Sequence, residues 1–182
     1  GGGCDIYSPY KPDNKDDLQT AVHQWVTDKD GALCEYGKIN SWDVSLITDM
    51  NTLFAHSLFP EGHNNFNDDI SNWDVSNVTN MAYMFDGAVD LDIDINSWNV
   101  GNVTNMRRMF RNCSTFTKDL NNWNVSNVTD MQDIFLNATN FNGDISTWDV
   151  SSLAPDYTGY GGARGMFRNA SSFNQDLSNW NL

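Results

Sequence analysis

Basic residues are scarce in this 182-residue chain: ten Lys and Arg stand against 24 Asp and Glu, a formal charge of −14. That shortage argues against nucleic acid as a ligand, since neutralising phosphates takes Lys and Arg that release counterions. It argues equally against adsorption to anionic lipid. No apolar run approaches the roughly 18 residues of a membrane span, so direct insertion is not expected. Proline is rare, and Pro9, Pro12, Pro60 and Pro155 all fall outside the repeating segments, where none can interrupt a hydrogen-bond ladder. There are three cysteines. Cys4 and Cys34 flank a non-repeating N-terminal segment; a bridge between them would tie down the terminus and suit an oxidising compartment, the alternative being two unpaired thiols. No acid–base pair, activated nucleophile or metal cluster converges, so an enzyme is not expected.

Tryptophan recurs instead, at Trp42, Trp73, Trp98, Trp123, Trp148 and Trp180. The intervals are 31, 25, 25, 25 and 32, a period of 25 with insertions near 55–65 and 153–163. A period in this range signals stacked supersecondary units, a solenoid. With each Trp as position zero, Ile39, Ile70, Ile95, Leu120, Ile145 and Leu177 lie at −3. Val44, Val75, Val100, Val125, Val150 and Leu182 lie at +2, and Met50, Met81, Met106 and Met131 at +8. A Phe follows at +12 in every unit before the second insertion (Phe54, Phe85, Phe110, Phe135). Stacked, each column becomes a continuous apolar ladder. Position +15 takes only small side chains (Ser57, Ala88, Cys113, Ala138), which makes Cys113 a small buried hydrophobe.

Within one unit, residues 69–73 are rich in β-formers and predict a strand. Residues 81–88 place apolar side chains at 0, +3, +4 and +7, which predicts a short helix of about two turns. Ile at −3 and Trp at 0 differ by an odd number, so a regular strand cannot bury both. Either a corner lies between them or the tryptophans face outward. Residues 16–26 carry Leu18, Ala21, Val22, Trp25 and Val26 at helical spacing, an amphipathic helix with Asn14 or Asp13 as N-cap. It is the expected cap of the array. The organisation is thus an N-terminal segment, 1–38, and about five to six coils over 39–182.

The run Trp-[Asp/Asn]-Val-Ser-Asn-Val-Thr-[Asn/Asp]-Met, followed by Met-Phe-x-x-Ala-x-x-Phe-Asn-x-Asp-Ile-Ser-x-Trp, resembles the BspA-type surface protein repeat. The match covers roughly residues 16–182. The resemblance implies a leucine-rich-repeat-like solenoid, with short parallel β-strands and helical turns in each coil and an N-terminal capping helix. It also implies secreted or cell-surface placement and a non-enzymatic role in adhesion, with a protein or glycan as partner. It brings no catalytic residues.

Candidate sites are what the repeat leaves over. The column Asp69, Asp94, Asp119, Asp144 and Asp176 at −4 would set carboxylates one rung apart; such a column either caps turns or binds cations, and calcium is the one cofactor it suits. Thr48, Thr79, Thr104 and Thr129 form a column that an ice- or mineral-binding surface would use. All five arginines lie on the predicted helical side: Arg107 and Arg164 share one column, Arg111 and Arg168 another, with Arg108 beside them. They make a docking face for an acidic partner or a second copy, or else pair with Asp86 and Asp133. Phe59, Tyr157 and Tyr160 sit on the inserted loops, where recognition residues often lie, and His56 and His63 form a weak chelating pair. The sequence stops mid-repeat, and an uncapped last coil is expected to stack end to end into homo-oligomers or filaments. Seven Asn-x-Ser/Thr sites (Asn77, Asn102, Asn112, Asn124, Asn127, Asn137, Asn169) recur because the repeat does.

Overall fold

The computed structural model describes residues 4, 9–60, 64–157 and 159–181. It opens on two helices. Helix α1, Lys15–Thr27, starts where the Asn14 side chain accepts from the Asp17 amide, and it carries Asp16 and Asp17 in its first turn. Its face of Leu18, Ala21, Val22 and Trp25 is buried. A second helix, α2, Lys29–Tyr36, follows after Asp28, whose side chain accepts from the Gly31 amide. Nothing in the apolar periodicity announces α2, and only Ala32 on it is buried.

The expected leucine-rich-repeat-like architecture does not form. Among the described residues there is no β-strand, and inter-coil pairing of that kind is limited to the isolated parallel bridges Asp49–Asn80, Asn80–Asn105 and Asn105–Asp130. Among the described residues no α-helix follows α2, and the helical pieces after it are the 3₁₀ turns Ile39–Ser41 and His56–Leu58. Each coil is instead a chain of tight turns.

Two local causes account for this. At the predicted strand, the Asp69 carboxylate accepts from the Ser71 amide and the Ile70 carbonyl from the Trp73 amide, 2.8 and 3.1 Å. These close an Asx turn and a four-residue β-turn where a strand would have run straight. That turn is the corner that lets position −3 and the Trp both face inward. At the predicted helix, Tyr83 adopts φ 60° and Gly87 φ 78°, and left-handed residues end an α-helical run. The same two positions are left-handed in the neighbouring coils: Thr52, Arg108, Asp133 and Gly165 at the first, Asn112, Asn137 and Asn169 at the second.

The resulting backbone splits its hydrogen bonds between the coil and its neighbour. Met84, Asp86 and Ala88 amides bond three residues back, to Met81, Tyr83 and Phe85. The alternating Met81, Tyr83, Phe85 and Gly87 amides donate to Asn105, Arg107, Met109 and Arg111 of the next coil. The same ladder joins Met50, Thr52, Phe54 and His56 to coil II, and the segments starting at Met106 and Met131 to the coils after them. Coils are numbered I–V after Trp42, Trp73, Trp98, Trp123 and Trp148; Trp180 lies in the coil beyond.

The core is a set of aromatic stacks along that axis. Trp98, Trp123 and Trp148 lie 6.5 and 6.4 Å apart with planes within 2° of parallel. Phe54, Phe85, Phe110 and Phe135 stack at 5.5 to 5.7 Å beside them. Each stacked pair adds about 1 kcal/mol to the burial of its rings. The tryptophans of coils I–V are 2–3 % exposed, so they are core. Their indoles are satisfied too: Trp73, Trp98, Trp123 and Trp148 each donate to the position −3 carbonyl of the preceding coil, at 2.8 to 3.1 Å. Cap and stack meet through Trp25, edge-on to Trp42, and through Gln19, whose side-chain amide donates to the Leu53 carbonyl. That carbonyl occupies the place at which coil II receives the Phe54 amide, so Gln19 supplies coil I with the donor of a preceding coil.

Candidate functional site

Asp69 and Asp94 of the Asp column line a shallow groove of about 610 Å³ together with Asn67, Asp92 and Asn96. The column's carboxylates are engaged in turns. Asp69, Asp94, Asp144 and Asp176 accept from the amide two residues on, while Asp119 accepts from the Asp144 amide of the next coil. The Ser146 hydroxyl and amide hold the Asp144 carboxyl below the usual range, and the Ser178 amide and hydroxyl do so for Asp176. Two further columns close the same turn. At +1 the acceptors are Asp43, Asp74, Asn99, Asn124 and Asp149; at +7 they are Asp49, Asn80, Asn105 and Asp130. Asp and Asn interchange there, so those corners require a side-chain oxygen and not a charge. Among the described residues no three His, Cys, Asp or Glu side chains gather into a cluster. His63 lies outside the described residues, as does Leu182 of the +2 column.

Thr79, Thr104 and Thr129 are exposed, with hydroxyls turned onto the Thr carbonyl of the preceding coil at 3.2 to 3.3 Å. Asparagine amides are spent in the same way. Asn77, Asn102 and Asn127 donate to carbonyls of the coil before, and Asn112, Asn137 and Asn169 form an amide ladder. Cys113 is fully buried, its thiol donates to the Phe85 carbonyl, and burial pushes its pKa up, the state of an inert core thiol. Cys4 and Cys34 are bridged, Cα to Cα 4.7 Å.

The arginines divide into two groups. Arg111 makes a two-pronged bond to Asp86, 2.6 and 2.8 Å, and Arg108 pairs with Asp133 at 3.2 Å while reaching the Tyr83 hydroxyl. Both guanidinium groups lie over the Tyr83 ring. This chain of groups staples coils II, III and IV, and it removes Arg111 from any docking role. Arg107, Arg164 and Arg168 have no carboxylate within 4 Å among the described residues. Arg164 covers the Tyr160 ring at 5.4 Å and donates to the Gly159 carbonyl. Arg107, one column-mate away, has a buried Nε without a partner.

Between them in coil IV stands Gln132, 7 % exposed, whose side-chain amide donates to the Tyr160 carbonyl at 3.0 Å. That bond, the Ala154 amide on the Thr129 carbonyl and the Met131 amide on the Gly162 carbonyl pin the loop that runs from Ala154 to Gly162 to the stack. The loop leaves Tyr157 and Tyr160 89 % and 68 % exposed. The structure therefore brings Gln132, Tyr160 and Arg164 together, with Tyr157 on the same loop and Arg107 in the same column one coil before Gln132. Phe59 is not with them: it is buried and stacked on His23 at 5.5 Å near α1. Gln132 gave no signal in the sequence, because its column (Asn51, Ala82, Arg107, Gln132, Arg164) follows no chemical rule until the loop is seen lying over it.

Stacked turn-built coils, a helical cap and a polar outer face with one pinned aromatic loop define a tandem-repeat protein. The chain belongs to the family described as Mycoplasma protein of unknown function, DUF285, which matches residues 17–148 and, overlapping, 117–182. No curated protein and no solved structure matches it.

Proposed function

We propose that this protein is a non-enzymatic interaction module of the BspA surface-repeat type, displayed outside the cell and binding a protein or glycan. The observation that carries the reading is the pinned loop. Two exposed tyrosines on a loop anchored at the Tyr160 carbonyl, beside arginines without a carboxylate partner among the described residues, stand out on a chain of charge −14 whose other polar side chains are largely committed to turns and ladders. Rigid, exposed aromatics and arginines are the residue types that anchor recognition. The Cys4–Cys34 bridge supports an oxidising, extracytoplasmic setting.

The test is a binding array of glycans and secreted proteins, run with calcium and with chelator. The expected result is a partner whose binding falls at least tenfold in the Tyr157→Ala/Tyr160→Ala double variant. No partner under either condition, or full retention by the double variant, overturns the proposal.

A further inference from the structure

We infer that the outer face of coils III–V is a site for carboxylated saccharides. The inference rests on the recognition role above and names its ligand class. Arg107 and Arg164 occupy the same column two coil steps apart, about 10 Å at ~4.8 Å per rung. Arg164 offers an exposed planar fork that matches a carboxylate, Arg107 adds a half-buried guanidinium whose Nε is enclosed, and neither has a carboxylate partner among the described residues. The Tyr160 ring, held under the Arg164 guanidinium, and the freely exposed Tyr157 ring offer flat apolar faces. A pyranose ring carries an apolar C–H face to stack on such a surface, hydroxyls for neighbouring amides, and, when oxidised at its terminal carbon, a carboxylate for a guanidinium.

The acids around the site narrow the choice. Asp133 is held by Arg108, Asp130 accepts from the Gln132 amide, and Asp156 stands exposed on the loop. Together with the overall charge they repel a dense polyanion, so one carboxylate per ring suits the face better than a phosphate backbone. An acidic peptide would use the arginines but not the aromatic faces.

The probe is tetragalacturonate, titrated calorimetrically beside its methyl-esterified form and a tetraglutamate peptide. Tetragalacturonate should bind, with the ester and the peptide at least tenfold weaker. Arg107→Gln and Arg164→Gln should each weaken it by about three- to tenfold, a loss near 1 kcal/mol. Tyr160→Ala should do the same and Tyr160→Phe should not, since the ring and not the hydroxyl makes the contact. Lys38→Gln, remote from the face, should bind as the parent does. An unchanged near-UV spectrum certifies each variant; if Arg107→Gln fails to fold, the exposed Arg164 and Tyr160 variants carry the test. Equal binding of the ester or the peptide, or parent-like binding by the folded Arg variants, overturns the inference. So does silence toward tetragalacturonate; if a Tyr157/Tyr160-dependent partner still appears on the array, the interaction role stands while the saccharide does not.

Discussion

The position −3 carbonyl receives two donors, the amide of its own coil's Trp and the indole of the next coil's: Ile95 accepts from Trp98 at 3.1 Å and from the Trp123 indole at 2.9 Å. Only tryptophan combines that reach with a ring for the stack, which is why Phe fills the neighbouring ladder but not this one. Trp123→Phe should therefore cost about 1–3 kcal/mol, one hydrogen bond plus a void, read as a shift in the urea midpoint. At the corners the oxygen matters more than the charge. Asp130→Asn, in a column where Asn already stands in two coils, should be nearly neutral at pH 7, and Asp130→Ala should lose about 1 kcal/mol.

Charge enters through pH. Serine partners hold Asp43, Asp144, Asp149 and Asp176 below the ordinary carboxyl range. Lowered folded values mean that their contribution is complete above the unfolded range and fades as acid protonates the folded carboxylates. The melting temperature should be flat from about pH 7 to 5 and fall below about pH 4. At this scale the sequence was informative: the tryptophan period and the small +15 slot marked the core directly. Whether the tryptophans faced in or out was not legible, because the deciding feature is a turn that the strand-like composition of 69–73 conceals.

The turn segments show where local pattern misleads at the level of elements. Apolar residues at 0, +3, +4 and +7 normally mean an amphipathic helix, but here overlapping four-residue turns direct Met81, Met84, Phe85 and Ala88 inward at the same spacing. The left-handed residue that breaks the helix is Thr, Tyr, Arg, Asp or Gly in successive coils, so no composition rule could mark it; the second left-handed position, Gly or Asn in coils II–V, was the readable half. A β-branched residue held at φ 62° carries about 1–2 kcal/mol of strain, and Thr52→Gly should raise stability by up to about 1 kcal/mol once chain entropy is subtracted. Gly165→Ala should do the opposite. Its φ of 66° disfavours any side chain, and an added Cβ would collide with the Asp133 carboxylate. Paired thermal melts of the two variants check both signs.

For the whole molecule, each coil touches mainly its neighbours, and stability is a sum of coil and junction contributions. Phe110 stacks on Phe85, Phe116 and Phe135, so Phe110→Ala should cost about 3–5 kcal/mol. Phe167, half-buried against Phe135 and Phe173, should lose less when truncated. Denaturant titration followed by amide exchange will show whether the loss stays within coils II–IV or spreads along the stack. The candidate site was half legible at this scale: arginine columns and loop tyrosines stand out against an acidic chain, but only the folded path of 154–162 over Gln132 joins them. The inter-coil ladder also makes the stack electrically polar. Its amides point toward the later coil and its carbonyls toward the earlier, four at each junction against the single Thr79, Thr104, Thr129 or Ala154 amide that points back, so the peptide dipoles add on balance head to tail as they do in a helix. The negative pole lies beside α1, where Gln19 offers its amide, and the positive pole lies toward the coil of Arg164. An anion approaching that coil meets the backbone's own field aligned with the guanidinium groups, and one approaching the cap meets it reversed.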